Sequence, residues 1–183
     1  QDLFRIIYVG SMYPWKGYDL LIDSLDTLTD IDFTAELYCI SNTNEDKKND
    51  LQNRLNQKDK ISLLTFLNNT EIRSKISESD LLVLPSRYDG WGAVISESLL
   101  EGTPVLVSKN CGAAQMVDNN AILGSVICPL SVFQIKNDLV KIITQGKVTK
   151  EKRQSIKEWA ENNISADAMA FYFKESFLNM MGN

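Results

Sequence analysis

The chain has 183 residues, 44% hydrophobic and 23% charged, a composition that suits one soluble globular domain with a substantial core. A net charge of −5 argues against nucleic acid as a partner, since phosphate neutralisation needs a basic face, and no apolar run approaches the ~20 residues that span a bilayer. With no His the chain offers no imidazole base and no His-ligated metal site, and Cys39, Cys111 and Cys128 fit neither metal nor disulfide spacing, so a reducing cytosol is the expected setting.

Gln1 to Arg5 does not read as a signal peptide, because it runs straight into Ile6-Ile7-Tyr8-Val9, a short β-type run ending at Gly10. Tyr18 to Leu25 has helical spacing, Phe33 to Ile40 is strand-like with Cys39 as a small core residue, and Glu45 to Gln57 reads as a surface helix. Ile61 to Leu64 is a third strand, and Asn68-Asn69-Thr70 caps a helix through Ile76. Leu81 to Leu84 is continuously apolar, as in a parallel strand buried on both faces. A glycine-bearing loop then leads to a helix from Ala93 to Glu101, stopped by Gly102 and followed by strand Val105 to Val107. A short helix at Ala113 to Val117, a strand at Ser125 to Ile127 and a capping box Ser131-x-x-Gln134 opening a helix to Gln145 come next. Helices at Lys150 to Asn162 and Ser165 to Met181 close the chain, and their rings Trp159, Phe171, Tyr172, Phe173 and Phe177 either complete this core or meet another domain.

Alternation of strand and helix about six times is the pattern of an α/β fold with a doubly wound, mostly parallel, Rossmann-like sheet, here as a single domain. Ligands then bind at the carboxyl ends of the strands, on the loops after Val9, Ile40, Leu64, Leu84 and Val107. The first loop, Gly10 to Gly17, fits neither a dinucleotide fingerprint nor a P-loop. The acidic triplet Asp30-Ile31-Asp32 falls before a strand, at the wrong edge for a metal site beside the ligand.

Two segments carry chemistry. In Val9-Gly10-Ser11 to Lys16-Gly17, a lysine after the first strand either reaches an anion at the carboxyl edge or is a solvated loop lysine. In Pro85 to Glu97, Gly90 and Gly92 allow close backbone approach, and the amides of Gly92, Ala93 and Val94 open a helix whose N-terminus attracts phosphate. Glu97, about one turn in, accepts from a vicinal diol such as ribose or is merely solvated; Asp89 holds a sugar hydroxyl or is a turn residue.

Together these segments resemble the retaining family 4 glycosyltransferases. The carriers are Val9-Gly10, Lys16-Gly17, Pro85-Ser86, Asp89-Gly90-Trp91-Gly92, Glu97-Ser98, Glu101-Gly102-Thr103-Pro104-Val105 and Cys111-Gly112, with seven residues between the acids Asp89 and Glu97. The resemblance covers essentially the whole chain and implies the C-terminal, donor-binding half of a two-domain GT-B enzyme. Such an enzyme moves a sugar from a nucleotide-diphosphate donor to an acceptor, with retention, without metal or other cofactor. It implies Lys16 on the donor diphosphate, Asp89 on a sugar hydroxyl near the reacting centre, and Gly10, Ser11, Gly90, Trp91, Gly92, Ala93 and Val94 around sugar and phosphate. Glu97 takes the ribose hydroxyls, and the base rests near Ser41 and Leu67. The acceptor sugar, lipid or protein belongs mainly to an N-terminal domain outside this chain, as does any peripheral membrane contact of the cytoplasmic full-length protein, and this half alone is expected to be inactive. Surface-polysaccharide assembly is a common setting for the family. Two departures stand out: Ser11 replaces the usual Arg, so that Arg87 or another group compensates or the clamp is weaker, and Asp89 replaces the usual Glu. A sugar-nucleotide epimerase or glucan synthase of the same fold, and a non-catalytic nucleotide-sugar-binding module, are the rival readings.

Overall fold

The computed structural model of the chain describes residues 3–39, 45–57, 59–65, 67–168 and 170. Six strands form one sheet: β1 (Phe4–Gly10), β2 (Phe33–Cys39), β3 (Ile61–Thr65), β4 (Leu81–Leu84), β5 (Val105–Ser108) and β6 (Gly124–Ile127). Seven α-helices alternate with and follow them among the described residues: α1 (Tyr18–Asp26), α2 (Glu45–Arg54), α3 (Asn69–Glu78), α4 (Ala93–Leu100), α5 (Ala114–Asp118), α6 (Val132–Thr144) and α7 (Lys150–Asn163). The strand order is β3-β2-β1-β4-β5-β6, and every pair is parallel, so "mostly parallel" becomes wholly parallel.

The apolar runs explain the placement. Ile6, Ile7 and Tyr8 in β1, and all four residues of β4, are at most 2% exposed, because a central parallel strand has helices over both faces. The helices fall into two packed groups, α1 against α6 and α4 against both α3 and α7. Chain order reverses between β1 and β4, the neighbouring strands whose connections leave in opposite directions across the sheet. The loops after β1 and β4 diverge there and leave a crevice at the carboxyl edge.

Caps fix the helix starts. Asn68 accepts from the Glu71 amide while the Glu71 carboxylate accepts from the Asn68 amide, closing a capping box on α3. The box expected at Ser131 is half formed: Ser131 Oγ accepts from the Gln134 amide, but the Gln134 side chain donates to Asp138. At the opposite, amino edge of the sheet, buried Asp80 accepts from the Arg5 amide and pairs with Arg153 of α7 and with Lys147. Asp30 and Asp32 also lie before β2, at that edge and away from the crevice. Trp159 packs against the core. Of the helix expected over Ser165 to Met181, only 165–168 and 170 are described, and Ile40, Ser41, Phe171, Tyr172, Phe173 and Phe177 lie outside the described residues. No helix among the described residues is long and apolar enough to cross a membrane.

Candidate functional site

The loop after β1 leaves the sheet at Gly10 and turns through a short 3-10 helix, Pro14–Lys16, which sequence periodicity did not reveal. Gly17 ends that turn at φ +69°, and a Cβ there would sit 1.9 Å from the Pro85 carbonyl oxygen. Only glycine satisfies both conditions, because other residues avoid left-handed backbone and would collide with the β4 loop. The two loops are also tied by main chain: the Arg87 and Tyr88 amides donate to the Trp15 carbonyl at 2.8 and 3.3 Å. This contact brings Lys16 onto the β4 loop, where its ammonium meets Asp89 Oδ2 at 2.6 Å.

The β4 loop is braced from its other side. The Asp89 amide donates to the Asn110 carbonyl, the Gly112 amide to the Asp89 carbonyl and the Ala113 amide to the Trp91 carbonyl, so that the two loops make a short parallel bridge at Asp89 and Cys111. Cys111 Sγ donates to the Trp91 carbonyl at 2.9 Å. Gly92, at φ +80°, opens α4 directly above this sulfur; a Cβ on it would lie 2.6 Å from Cys111 Sγ. Burial pushes the Cys111 thiol up, so the group packs as a neutral donor.

Between these loops lies a cleft of about 330 Å³. Gly10, Ser11, Lys16, Asp89, Gly92, Ala93, Val94 and Glu97 line it, eight of the residues singled out from the sequence. Gly90 and Trp91 do not: Gly90 is exposed, and the Trp91 indole N–H turns away to Ser96 Oγ at 3.1 Å. Val9 and Leu84 supply apolar wall at the ends of the two strands, and Asn69 and Ile72 come from α3. No local signal marked the α3 pair. They reach the cleft because α3 packs beside β1 and α4 as the chain returns from β3, at one edge, to the sheet's middle.

The first N–H groups of a helix lack intrahelical acceptors and carry the positive end of its dipole. Ala93 and Val94, the first residues of α4, border the cleft with Lys16 across from them. Glu97, one turn further, has an exposed carboxylate with no hydrogen-bond or ion-pair partner among the described residues. Among the described residues, the charged lining side chains are one cation, Lys16, and two carboxylates, Asp89 and Glu97. Arg87 does not make up for the serine at position 11. Its guanidinium is forked onto Asp19, with both contacts at 2.7 Å, and onto the Pro14 carbonyl. That hydrogen bond to Arg87 holds the Asp19 carboxyl below its usual range. Tyr8, fully buried beneath the loop, donates to the Ser11 carbonyl at 3.0 Å, and burial pushes its phenol far up. The cleft can therefore take an anion between Lys16 and the α4 amides, beside two carboxylates able to accept from hydroxyls.

Comparison with known proteins adds to this geometry. The family model described as "Glycosyl transferases group 1" matches residues 1–163. The lipopolysaccharide glucosyltransferase WaaG of Escherichia coli is 27% identical over 159 residues, which cover 86% of this chain and 40% of that protein. A glycosyltransferase from Rickettsia africae matches the fold with a TM-score of 0.82 at 19% identity, covering 100% of this chain and 49% of that one. Anabaena Alr3699/HepE, solved in complex with UDP and glucose, matches with a TM-score of 0.76 at 22% identity over 96% of this chain and 48% of that one. The chain spans about half the length of the curated relatives it matches.

Proposed function

The chain belongs to the group 1 glycosyl transferases and has the fold of a GT-B donor-binding domain, and from that premise we propose that the β1–β4 cleft binds a nucleotide-diphosphate sugar whose sugar is transferred with retention of anomeric configuration. The observation that carries this reading is the meeting of Lys16, the first turn of α4 and Glu97 on one cleft at the switch point of the sheet. Each part has a physical task. Lys16 and the Ala93 and Val94 amides hold the diphosphate and stabilise the charge it gathers as the glycosyl bond breaks. Glu97 accepts from both hydroxyls of the ribose. Asp89 accepts from a hydroxyl of the donor sugar. The charge on the leaving group is met by a fixed ammonium and backbone dipoles, and the proposed reaction calls on no metal.

Relatives about twice as long leave room for an acceptor-binding portion beyond this fold, and we place the acceptor there. On this reading residues 1–183 alone bind donor without transferring sugar. The test is a thermal-shift panel of UDP, GDP, ADP and their common sugar conjugates, followed by turnover in the full-length protein. One base should shift the transition by an amount equivalent to about 2.7 kcal/mol at a hundredfold excess over Kd. Glu97→Ala should abolish that shift, and Lys16→Ala should cut turnover about 10²-fold. A protein that responds to none of these ligands, or a Lys16→Ala variant with unchanged affinity and turnover, rules the reading out. Binding without transfer at full length points instead to a non-catalytic nucleotide-sugar-binding module.

A further inference from the structure

Resting on the donor-site reading above, we infer that Asp89 is the counter-ion of Lys16 at the cleft, and that this pair makes the cleft select intact sugar nucleotide over free nucleoside diphosphate.

The pair is close and sheltered. Nζ and Oδ2 are 2.6 Å apart, with the lysine side chain 27% exposed and the carboxylate 11%. Among the described residues lining the cleft, no second cation can take over from Lys16. Lys16 is the one cation among the described lining residues, Ser11 brings only a hydroxyl, and Arg87 is held by Asp19. An arriving diphosphate must therefore draw on an ammonium that is already neutralised.

An ammonium has three donors, so Lys16 has hydrogen-bonding capacity for both partners. Charge is the difficulty. Sharing Lys16 sets the Asp89 carboxylate against phosphate oxygens in a partly desolvated cleft, where two like charges at contact distance repel strongly. Surrendering Lys16 to the phosphates leaves Asp89 nearly buried without a partner, which is also costly. A free nucleoside diphosphate meets one of these penalties in full. A sugar nucleotide brings hydroxyls next to its diphosphate, and a hydroxyl donated to Asp89 replaces the ammonium it gives up. The cleft thus discriminates by penalising the incomplete ligand rather than by adding contacts to the complete one. The same penalty favours release of the nucleoside diphosphate once the sugar has gone.

The backbone makes the idea testable. Asp89 is held by its own amide to Asn110 and by its carbonyl to Gly112, neither of which involves the side chain. Asp89→Asn removes the charge and keeps the loop. Titration calorimetry on the full-length protein would compare UDP, GDP and ADP with UDP-glucose, GDP-mannose and ADP-glucose. For the base that binds, the wild-type protein should hold the conjugate at least about tenfold tighter than the nucleoside diphosphate. In Asp89→Asn the nucleoside diphosphate should bind about tenfold tighter than in wild type, and the preference for the conjugate should collapse. Asp89→Ser, also uncharged, should behave alike, which guards against a fault of one variant's folding. The gain should vanish when Lys16→Gln is added. Nucleoside diphosphate bound no tighter by both uncharged variants than by wild type overturns the inference and leaves the donor site standing. A wild-type protein that binds neither member of any pair overturns the donor-site reading and this inference with it.

Discussion

Cys39, Cys111 and Cys128 show how much of a residue's chemistry depends on what surrounds it. Cys39 sits in the apolar run of β2 and is 7% exposed; burial pushes its thiol up to about 11. Cys111 is 4% exposed and donates to the Trp91 carbonyl, whereas Cys128 is exposed. Thiolate fraction and access together set the rate with a disulfide reagent. At pH 8 the native protein should release one equivalent of thionitrobenzoate quickly, from Cys128, and all three only in denaturant. A second fast thiol, mapped to Cys111, would mean that the loop bracing Asp89 opens in solution. Arg87 teaches the same lesson. The sequence offered it as a replacement cation, but Asp19, in the first turn of α1, captures its guanidinium.

At the scale of elements, periodicity and caps were enough to locate the pieces. Four-residue apolar runs became buried parallel strands, and Asn68, Ser131 and Thr149 each accept from the amide three residues on to start a helix. What local pattern could not show was the turn Pro14–Lys16, which is too short to have a period. That turn places Lys16 at the cleft, and Gly17 seats it against the β4 loop. Gly17→Ala should lower the unfolding free energy by about 2–3 kcal/mol in urea titration, combining left-handed strain with displacement of Pro85. Nucleotide binding should weaken with it, because Lys16 moves away from α4. Unchanged stability would mean that the two loops do not approach as closely as described.

The whole molecule has two edges with different work. Its carboxyl edge carries the cleft; its amino edge carries a polar staple. Arg153 donates to Thr103 Oγ1 at 3.0 Å, to the Ser79 carbonyl at 2.6 Å and to Asp80 Oδ1 at 3.4 Å, and Asp80 is 5% exposed. Arg153→Ala should cost about 3 kcal/mol, toward the low end for breaking a buried pair because Lys147 still faces Asp80 at 3.8 Å. Denaturant unfolding would measure the loss, and calorimetry should show nucleotide affinity unchanged, since the staple lies across the sheet from the cleft. A fall in affinity equal to the fall in stability would tie the two edges together.

The sequence by itself determined the alternation of strand and helix and the parallel core, because those depend on apolar period, glycine and cap chemistry within short stretches, and its two chemistry-bearing segments with their family resemblance singled out eight of the twelve described residues that line the cleft. The resemblance carried by Lys16, Asp89 and Glu97 added what they bind as an expectation. Only the tertiary structure decided that Lys16 meets Asp89, that Arg87 is engaged elsewhere, that Trp91 faces Ser96 and that Asn69 and Ile72 join the wall. Those facts rest on which loops the strand order brings together and on main-chain bonds between residues some 70 positions apart in the first loop's case. No short-range pattern encodes such pairings, since they follow from the packing of the sheet as a whole.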